Sequence, residues 1–296
     1  MKNSFSGYHP IVNFVFFTEV LLFSMWFLHP ACLGISFFSA LAYGLYLHPR
    51  KTARLGLRFL LPIMLVTALI NPVFSHEGVT MLTYLPSGNP LTLESILYGL
   101  AAAGLLAAVT LWFSCFNLVI TTDKFVYLFG RIVPALSLVL SMALRFVPRF
   151  RAQLRVVTDA QRALGRDISR GKLVRRLRCA GTILSIMVTW ALENGIDTAD
   201  SMKSRGYGLP GRTAFSIYRF DRRDRLALCW FLALGALIAA GAAAGGFAWR
   251  WYPSVKGAPL SALTLGLFLT YAALCLSPLI LDRKEDRKWT AIRSKM

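Results

Sequence analysis

Long apolar runs separated by short polar segments dominate the pattern of this 296-residue chain. Six windows stay apolar over roughly 18–25 residues, the length that crosses the roughly 30 Å hydrocarbon layer of a bilayer. They cover residues 11–28, 30–47, 57–75, 95–120, 226–247 and 261–281. Only His29 and Pro30 separate the first two windows, so these two form a hairpin at one membrane face. We therefore predict six transmembrane helices.

Two further long helices are predicted between the fourth and fifth windows. The run PALSLVLSMALRFVPRFRAQLRVVTDAQRALG begins at Pro134 and forms one helix or two joined at Pro148, because proline lacks the backbone donor. It reaches Arg145 after 11 residues, which is too short for a span. The second helix runs from about Leu173 to Ser204, and its apolar stretch CAGTILSIMVTWAL has only 14 residues. Polar residues recur along it every three or four positions, which indicates an amphipathic helix packed on one side.

Composition and charge support a membrane protein and give it an orientation. Hydrophobic residues make up 56% of the chain and charged residues only 16%, against about 45–50% and about 25% in soluble domains. Residues 122–225 hold 20 Lys and Arg against 8 acids, whereas loop 76–94 has no Lys or Arg. Because basic loops stay cytoplasmic, we expect both termini and residues 122–225 in the cytoplasm. This placement explains the net charge of +19 without nucleic acid.

The sequence thus predicts an all-α, polytopic membrane protein with about six transmembrane helices and a cytoplasmic set of long, crossing amphipathic helices. Three segments are expected. Residues 1–121 hold four spans, residues 122–225 hold the cytoplasmic helices, and residues 226–296 hold a C-terminal hairpin of spans and a basic tail. Lipid is therefore one expected partner of the chain.

No pattern typical of a catalytic or metal site occurs in the sequence. The four histidines and five cysteines lack the spacing of metal ligands, and three of the histidines, His9, His29 and His48, simply precede prolines. The chain also has no GxxxxGK[ST] phosphate loop and no GxSxG nucleophile turn. We therefore expect no catalytic residue, no metal site and no cofactor bound by this chain.

The two long cytoplasmic helices are predicted to end in similar short motifs. The first ends in Arg162, Ala163, Leu164, Gly165 and Arg166, and the second in Ser204, Arg205 and Gly206. Each glycine suits the left-handed residue that follows a helix, and cations in a last turn complement the helix dipole. Local backbone chemistry is by itself a sufficient reason for such ends.

The chain as a whole resembles the transmembrane T component of energy-coupling factor (ECF) transporters, the EcfT/CbiQ family of bacterial micronutrient importers. The resemblance lies in the order of spans, then RFVPRF leading to AQRALG, then an amphipathic helix leading to ADSMKSRGYG. It implies a protein of the bacterial cell membrane whose two coupling helices each present an arginine to a groove on one of two ABC ATPase subunits. It also implies that the apolar faces of these helices hold a separate substrate-binding membrane protein, the S component, which carries a vitamin or a transition-metal ion.

By this resemblance, Ser204, Arg205 and Gly206 form the second ATPase-coupling motif. The first motif departs from the family, because Leu164 stands where an arginine is usual. Either Arg162 or Arg166 supplies the charge from a neighbouring position, or apolar contact alone holds that ATPase. The expected S-component contacts are apolar residues on the two helices, namely Leu140, Leu144, Val147, Ile183, Met187 and Trp190. A core formed by the two helices against each other is the alternative for these faces, although two helices of this length cannot cover both apolar flanks in each other.

Two other functional classes stay open. A conventional ABC-type permease encloses its own substrate path and needs polar groups within its spans, yet Glu19 is the only acid inside a predicted span and Glu94 lies near the end of another. A membrane-bound enzyme acting on an anionic, lipid-linked substrate would use the arginines to bind phosphate. It would also need a group of catalytic acids beside the end of a span. Asp159, Asp167, Asp197 and Asp200 are instead predicted on helix faces among arginines.

Overall fold

The computed structural model describes residues 4–75, 77–84, 90–132, 134–166, 173–207, 209, 218–257, 259 and 261–293. Helices dominate these residues, and the strands form two short antiparallel hairpins. The helices are α1 (Pro10–Trp26), α2 (Pro30–Leu47), α3 (Pro49–Leu55), α4 (Leu61–Phe74), α5 (Leu93–Val119), α6 (Thr122–Ile132), α7 (Pro134–Ala163), α8 (Leu173–Ser204), α9 (Arg222–Ala243) and α10 (Ala262–Arg293). The strands are β1 (Met81–Tyr84), β2 (Pro90–Thr92), β3 (Trp249–Arg250) and β4 (Lys256–Gly257).

Helices α1, α2 and α3 each begin at a proline that follows a histidine. Proline fits the first helical position because its missing N–H has no partner there and its φ is already helical. In two cases the histidine also caps the helix. His9 Nδ1 accepts a hydrogen bond from Ile11 N at 3.3 Å, and His29 Nδ1 accepts one from Ala31 N at 3.2 Å. These histidines therefore act as helix-start residues.

A π-helical turn, Gly56–Leu60, joins α3 to α4 without a break. Pro62 lies at the start of α4 and cannot donate to the carbonyl of Arg58, four residues earlier. A wider turn accommodates the ring and the missing hydrogen bond. The result is one continuous 26-residue segment, Pro49–Phe74, that extends the predicted third span toward its N-terminus.

Among the described residues, six helical segments are long and apolar enough to cross a membrane, judged by length and composition: Pro30–Leu47, Pro49–Phe74, Leu93–Val119, Leu173–Ser204, Arg222–Ala243 and Ala262–Ile292. Five of them match predicted spans. Helix α8 was expected to be too short, and this expectation is wrong by these criteria, because the single charge of Glu193 does not interrupt a longer apolar window. Helix α1, with 17 residues, is a shorter apolar helix.

The chain packs as two compact units, residues 1–125 with 218–296 and residues 126–217. In the first unit, α5 lies against α1, α2 and α4, and α10 lies against α2 and α9. The N-terminal and C-terminal spans, which the sequence presents as separate segments, therefore share one core. The second unit contains α7 and α8, which pack against each other.

A buried polar network ties four helices of the first unit together. Ser36 Oγ accepts a hydrogen bond from Trp112 Nε1 at 3.0 Å and lies 2.6 Å from Ser24 Oγ, which in turn lies 3.0 Å from the Tyr271 hydroxyl. All four side chains are almost fully buried. Because such groups have no water to bond with inside a bilayer, their pairing fixes how α1, α2, α5 and α10 align.

The N-terminal segment is held by buried charged groups. Asp282 Oδ1 accepts a hydrogen bond from Phe5 N at 2.6 Å. Lys124 Nζ donates to Val119 O at 3.1 Å and also to Ser6 O. Burial lowers the pKa of Lys124 from 10.5 to about 8, because the ammonium loses part of its hydration.

Candidate functional site

The C-terminal end of α8 is closed by a pair of backbone hydrogen bonds. Gly206 N donates to Lys203 O at 3.0 Å, and Tyr207 N donates to Met202 O at 3.1 Å. Gly206 has a φ of +74°, a conformation that favours glycine. This is the Schellman arrangement, which satisfies carbonyls that a helix end otherwise leaves free. Arg205 immediately precedes the glycine and is exposed, so it forms the tip of α8.

The end of α7 has the same structure. Gly165 N donates to Arg162 O at 2.9 Å, and Arg166 N donates to Gln161 O at 2.9 Å. Gly165 has a φ of +75°. Leu164 therefore occupies the position in α7 that Arg205 occupies in α8, and it is 70% exposed. The two motifs are one backbone structure, with an apolar tip in one helix and a charged tip in the other.

Three arginines lie close to Leu164. Arg162 Nη1 is 3.6 Å from the carboxylate of the aspartate three residues earlier. Arg166 is exposed. Arg175, at the start of α8, donates from Nη2 to Gly165 O at 3.2 Å. The sequence points to Arg162 and Arg166 but not to Arg175, because Arg175 is brought close by the return of α8 along α7 and not by its spacing in the chain.

Helices α7 and α8 pack antiparallel through a small apolar core. Its buried residues are Val157, Cys179, Ile183 and Met187. Farther along, the rings of Phe150 and Trp190 meet edge to face with centroids 5.3 Å apart, an arrangement that adds to the burial of both rings. We call α7 and α8 together the helix pair.

The two tips lie at opposite ends of the helix pair. The tip of α7 lies beside the start of α8, where Cys179 Sγ donates to Arg166 O at 3.0 Å. From Arg175 to Arg205 the chain advances by 30 residues, which is about 45 Å at 1.5 Å per helical residue. The pair therefore presents its two tips roughly 45 Å apart and not side by side.

The residues predicted to contact an S component fall into two groups. Ile183 and Met187 are buried in the core of the helix pair, and Trp190 packs against that core. Leu144 and Val147 on α7 are exposed, and Leu140 is half-buried. The structure thus gives the first group a role in holding α7 to α8, whereas the α7 residues leave apolar surface available.

Arg205 also lines a polar groove of about 690 Å³ in the helix pair. Arg145 and Arg149 line it from α7, and Asp197 and Ser201 line it from α8. The groove is thus lined by three guanidinium groups and one carboxylate, and this excess of positive charge makes this end of the helix pair electropositive. Such a groove suits an acidic partner surface.

Side chains of the types that can bind a metal ion do not cluster in the part of the chain that the structure describes. No three His, Cys, Asp or Glu residues lie close enough there to hold a metal ion. The five cysteines are free, and Cys229 is the exposed one among them. That the chain has no metal site remains an expectation from its sequence.

A family model described as a cobalt transport protein, CbiQ, matches residues 2–215. The chain belongs to the CbiQ family. The matched range includes both long helices and both tips, Leu164 and Arg205, whereas α9 and α10 lie beyond it. The family resemblance inferred from the motifs is therefore confirmed.

Curated relatives carry the name energy-coupling factor transporter transmembrane protein EcfT. The one from Lactobacillus helveticus is 36% identical over 107 residues, which are 36% of this chain and 39% of the relative. The one from Lacticaseibacillus paracasei is 34% identical over 110 residues, 37% of this chain and 40% of the relative. The one from Exiguobacterium sibiricum is 29% identical over 192 residues, 62% of this chain and 73% of the relative. The chain thus matches about two fifths of the length of the first two relatives.

Membership of this family agrees with the architecture. The chain is an all-α, multi-pass membrane protein with six helical segments of spanning length among its described residues. These relatives are named as transmembrane proteins of energy-coupling factor transporters.

Proposed function

We propose that this chain is the transmembrane coupling subunit of an ECF-type ABC importer. In this proposal two cytoplasmic ATPase subunits drive an S component that carries a vitamin or a transition-metal ion. The chain lies in the bacterial cell membrane with both termini in the cytoplasm, and it binds no cofactor because ATP binds the partner subunits. One observation carries the proposal: α7 and α8 end in the same Schellman cap, and each exposes one residue, Leu164 or Arg205, at its tip.

The tip of α8 is suited to a groove lined by carboxylates or carbonyls. Among the described residues, no ion pair or hydrogen bond engages the side chain of Arg205. Its guanidinium offers five N–H donors in a planar fork and stays charged at any physiological pH. Gly206 follows Arg205 directly and ends the helix, which places this fork at the end of α8. We propose that it binds one ATPase through charge-assisted hydrogen bonds.

At the tip of α7, the charge for the other ATPase comes from neighbouring residues. Arg175 already lies at Gly165 O, and Arg166 is exposed beside it. Both lie close to Leu164, where the family usually has its arginine. We propose that these two cations replace that arginine, and that Leu164 adds apolar contact at the same groove.

The helix pair transmits motion because its two ends are about 45 Å apart and joined by packed helices. Each ATPase holds one end. When nucleotide binding brings the ATPases together, the ends move, and the pair responds as packed helices do, by rigid-body shift and shear and not by smooth bending. Thus the chain converts an ATPase motion into a displacement of the surface that holds the S component.

That surface includes an apolar groove of about 470 Å³ on the helix pair, lined among others by Phe150, Leu154, Leu184 and Val188. These four side chains are exposed. Leu144 and Val147 on α7 are further exposed apolar side chains, and exposed apolar patches mark sites of interaction with other proteins. We propose that the S component packs against it.

Affinity purification of the tagged chain from its native membrane tests the proposal. The expected complex contains two ABC ATPase subunits and one small, multi-span membrane protein, and the identity of that small protein gives the substrate. Recovery with a solute-binding protein and no small membrane protein would instead indicate a conventional permease. A chain that purifies without any ATPase, under conditions that preserve other ABC complexes, would refute the coupling role.

A further inference from the structure

A groove between α9 and α10 is positively charged at one end and mainly apolar along the rest of its length. It has a volume of about 390 Å³. Arg223 and Lys284 line one end, and the remainder is lined mainly by apolar side chains, among them Leu226, Trp230 and Ile280. We call it the α9–α10 groove.

The two cations belong to the same end because α9 and α10 run antiparallel. Arg223 Nη1 lies 3.1 Å from Glu285 Oε1, and Trp230 Nε1 donates to Ser277 Oγ at 3.4 Å. Trp230 lies seven positions after Arg223 in α9, which is about 10 Å along the helix. The apolar part of the groove therefore extends over about one third of a roughly 30 Å hydrocarbon layer.

The cationic end keeps a free positive charge. Arg223 is engaged, because it pairs with Glu285, donates to Gly7 O at 3.5 Å and lies 4.1 Å from the ring centroid of Tyr8. Lys284 is exposed and has no hydrogen bond or ion pair among the described residues. Its ammonium is thus available to an anion, and Arg223 and Glu285 nearly cancel each other.

The apolar part of the groove is open to its surroundings. Leu226 is 73% exposed, Trp230 is 54% exposed and Ile280 is 47% exposed. Phe231, which also lines the groove, is fully buried. In a multi-pass membrane protein the surroundings of such a surface are acyl chains, so its exposure is favourable there.

We propose that the α9–α10 groove binds one phospholipid with an anionic headgroup, taken from the leaflet on the side of the chain termini. The headgroup phosphate lies at Lys284, and an acyl chain follows the groove past Trp230. The groove fits a lipid better than a protein segment because its charged groups lie at one end and its apolar side chains follow along its length. Cations at the interface followed by apolar surface at increasing depth match a lipid, and basic pockets between membrane helices are known to select anionic headgroups.

Quenching of Trp230 fluorescence by lipids with brominated acyl chains tests this proposal. The full-length chain is reconstituted with brominated phosphatidylglycerol or brominated phosphatidylcholine. The chain has seven tryptophans, so the Trp230 signal is taken as the difference from Trp230→Phe. Half-maximal quenching of that signal should need about a fivefold lower mole fraction of brominated phosphatidylglycerol than of brominated phosphatidylcholine. One cation near an anionic membrane surface contributes about 1 kcal/mol, which corresponds to that ratio.

Two variants identify the cation. Lys284→Gln should remove the preference for the anionic lipid. Lys288→Gln, one helical turn farther along α10 and outside the groove, should retain it. Equal quenching by both lipids, no quenching of Trp230 by either, or a preference that survives Lys284→Gln would overturn the proposal. Loss of the preference on adding inorganic phosphate at matched ionic strength would assign the site to free phosphate and also overturn it.

Discussion

Leu164 and Arg205 hold the same position in two copies of one helix end. Each immediately precedes a glycine with positive φ, +75° at Gly165 and +74° at Gly206. The hydrogen bonds that close the two ends connect equivalent residues. Because the backbones match, the two tips differ mainly in side-chain chemistry. Single substitutions at the tips therefore test chemistry without a change of fold.

Arg175→Ala should weaken the ATPase contact at the tip of α7, because it removes the guanidinium that lies beside Gly165. A charge-assisted hydrogen bond contributes about 1.5–3 kcal/mol, so we expect roughly a tenfold or greater loss of affinity for one ATPase of the pair. Titration of the purified chain with ATPase, followed by native mass spectrometry, measures it. Arg178→Ala, which removes an exposed arginine one turn away, is the matched control.

Leu164→Arg should rescue the Arg175→Ala variant, because it restores a cation at the position equivalent to Arg205. Alone, it should bind ATPase as well as the wild type or better. A severe loss of ATPase binding in Leu164→Arg would show that the first groove is apolar, and would contradict the assignment of charge to Arg166 and Arg175.

Gly206→Ala should disturb the tip of α8. A side chain at a φ of +74° costs roughly 1–2 kcal/mol, and the added Cβ would lie 3.1 Å from Leu209 Cδ1. We expect faster amide hydrogen exchange at Tyr207 and weaker ATPase binding. Gly195→Ala is the control, because Gly195 lies within α8 and no atom lies within 4 Å of its added Cβ. Alanine favours the helix more than glycine does, so this variant should not speed amide exchange in α8. Unchanged exchange and binding in Gly206→Ala would argue against a role for the cap.

Lys124 should make stability depend on pH above neutrality. Its pKa is about 8 in the folded chain against an ordinary 10.5, so the unfolded state binds more protons between these values. The free energy of unfolding therefore rises with pH through that window, by at most about 1.4 kcal/mol per pH unit. SDS titrations in mixed micelles at pH 7.5, 8.5 and 9.5 measure it. The rise should vanish in Lys124→Gln and persist in Lys51→Gln, an exposed control; an identical rise in all three proteins would refute the assignment.

Much of the fold follows from local sequence signals. His9 and His29 before prolines mark helix starts, and Gly165 and Gly206 mark helix ends, because these signals depend on backbone chemistry within a few residues. The place of Arg175 beside Gly165 does not follow, since it depends on how α8 returns along α7. For the same reason the pattern along α8 leaves open whether Ile183 and Met187 lie in a core between the two helices or contact a partner, and the structure places both in the core of the helix pair.

The length of α8 shows a second limit. Its 14-residue apolar stretch lies between the charged residues Arg178 and Glu193. One charge within a long apolar window does not prevent the window from having the composition of a span. Composition alone therefore does not separate a membrane span from a long helix of the helix pair.

Coupling by Arg205 is the central claim, and proteoliposomes that contain the complete transporter test it most directly. Substrate uptake and ATP hydrolysis are measured together for Arg205→Ala and for Lys203→Ala, which removes a cation from the same last turn of α8. If Arg205 acts only on the helix dipole, both variants should lose a similar, small amount of stability. We predict at least a tenfold drop in uptake per ATP hydrolysed, or loss of the bound ATPase, for Arg205→Ala alone, with normal membrane insertion. Normal uptake and coupling in Arg205→Ala would contradict the account.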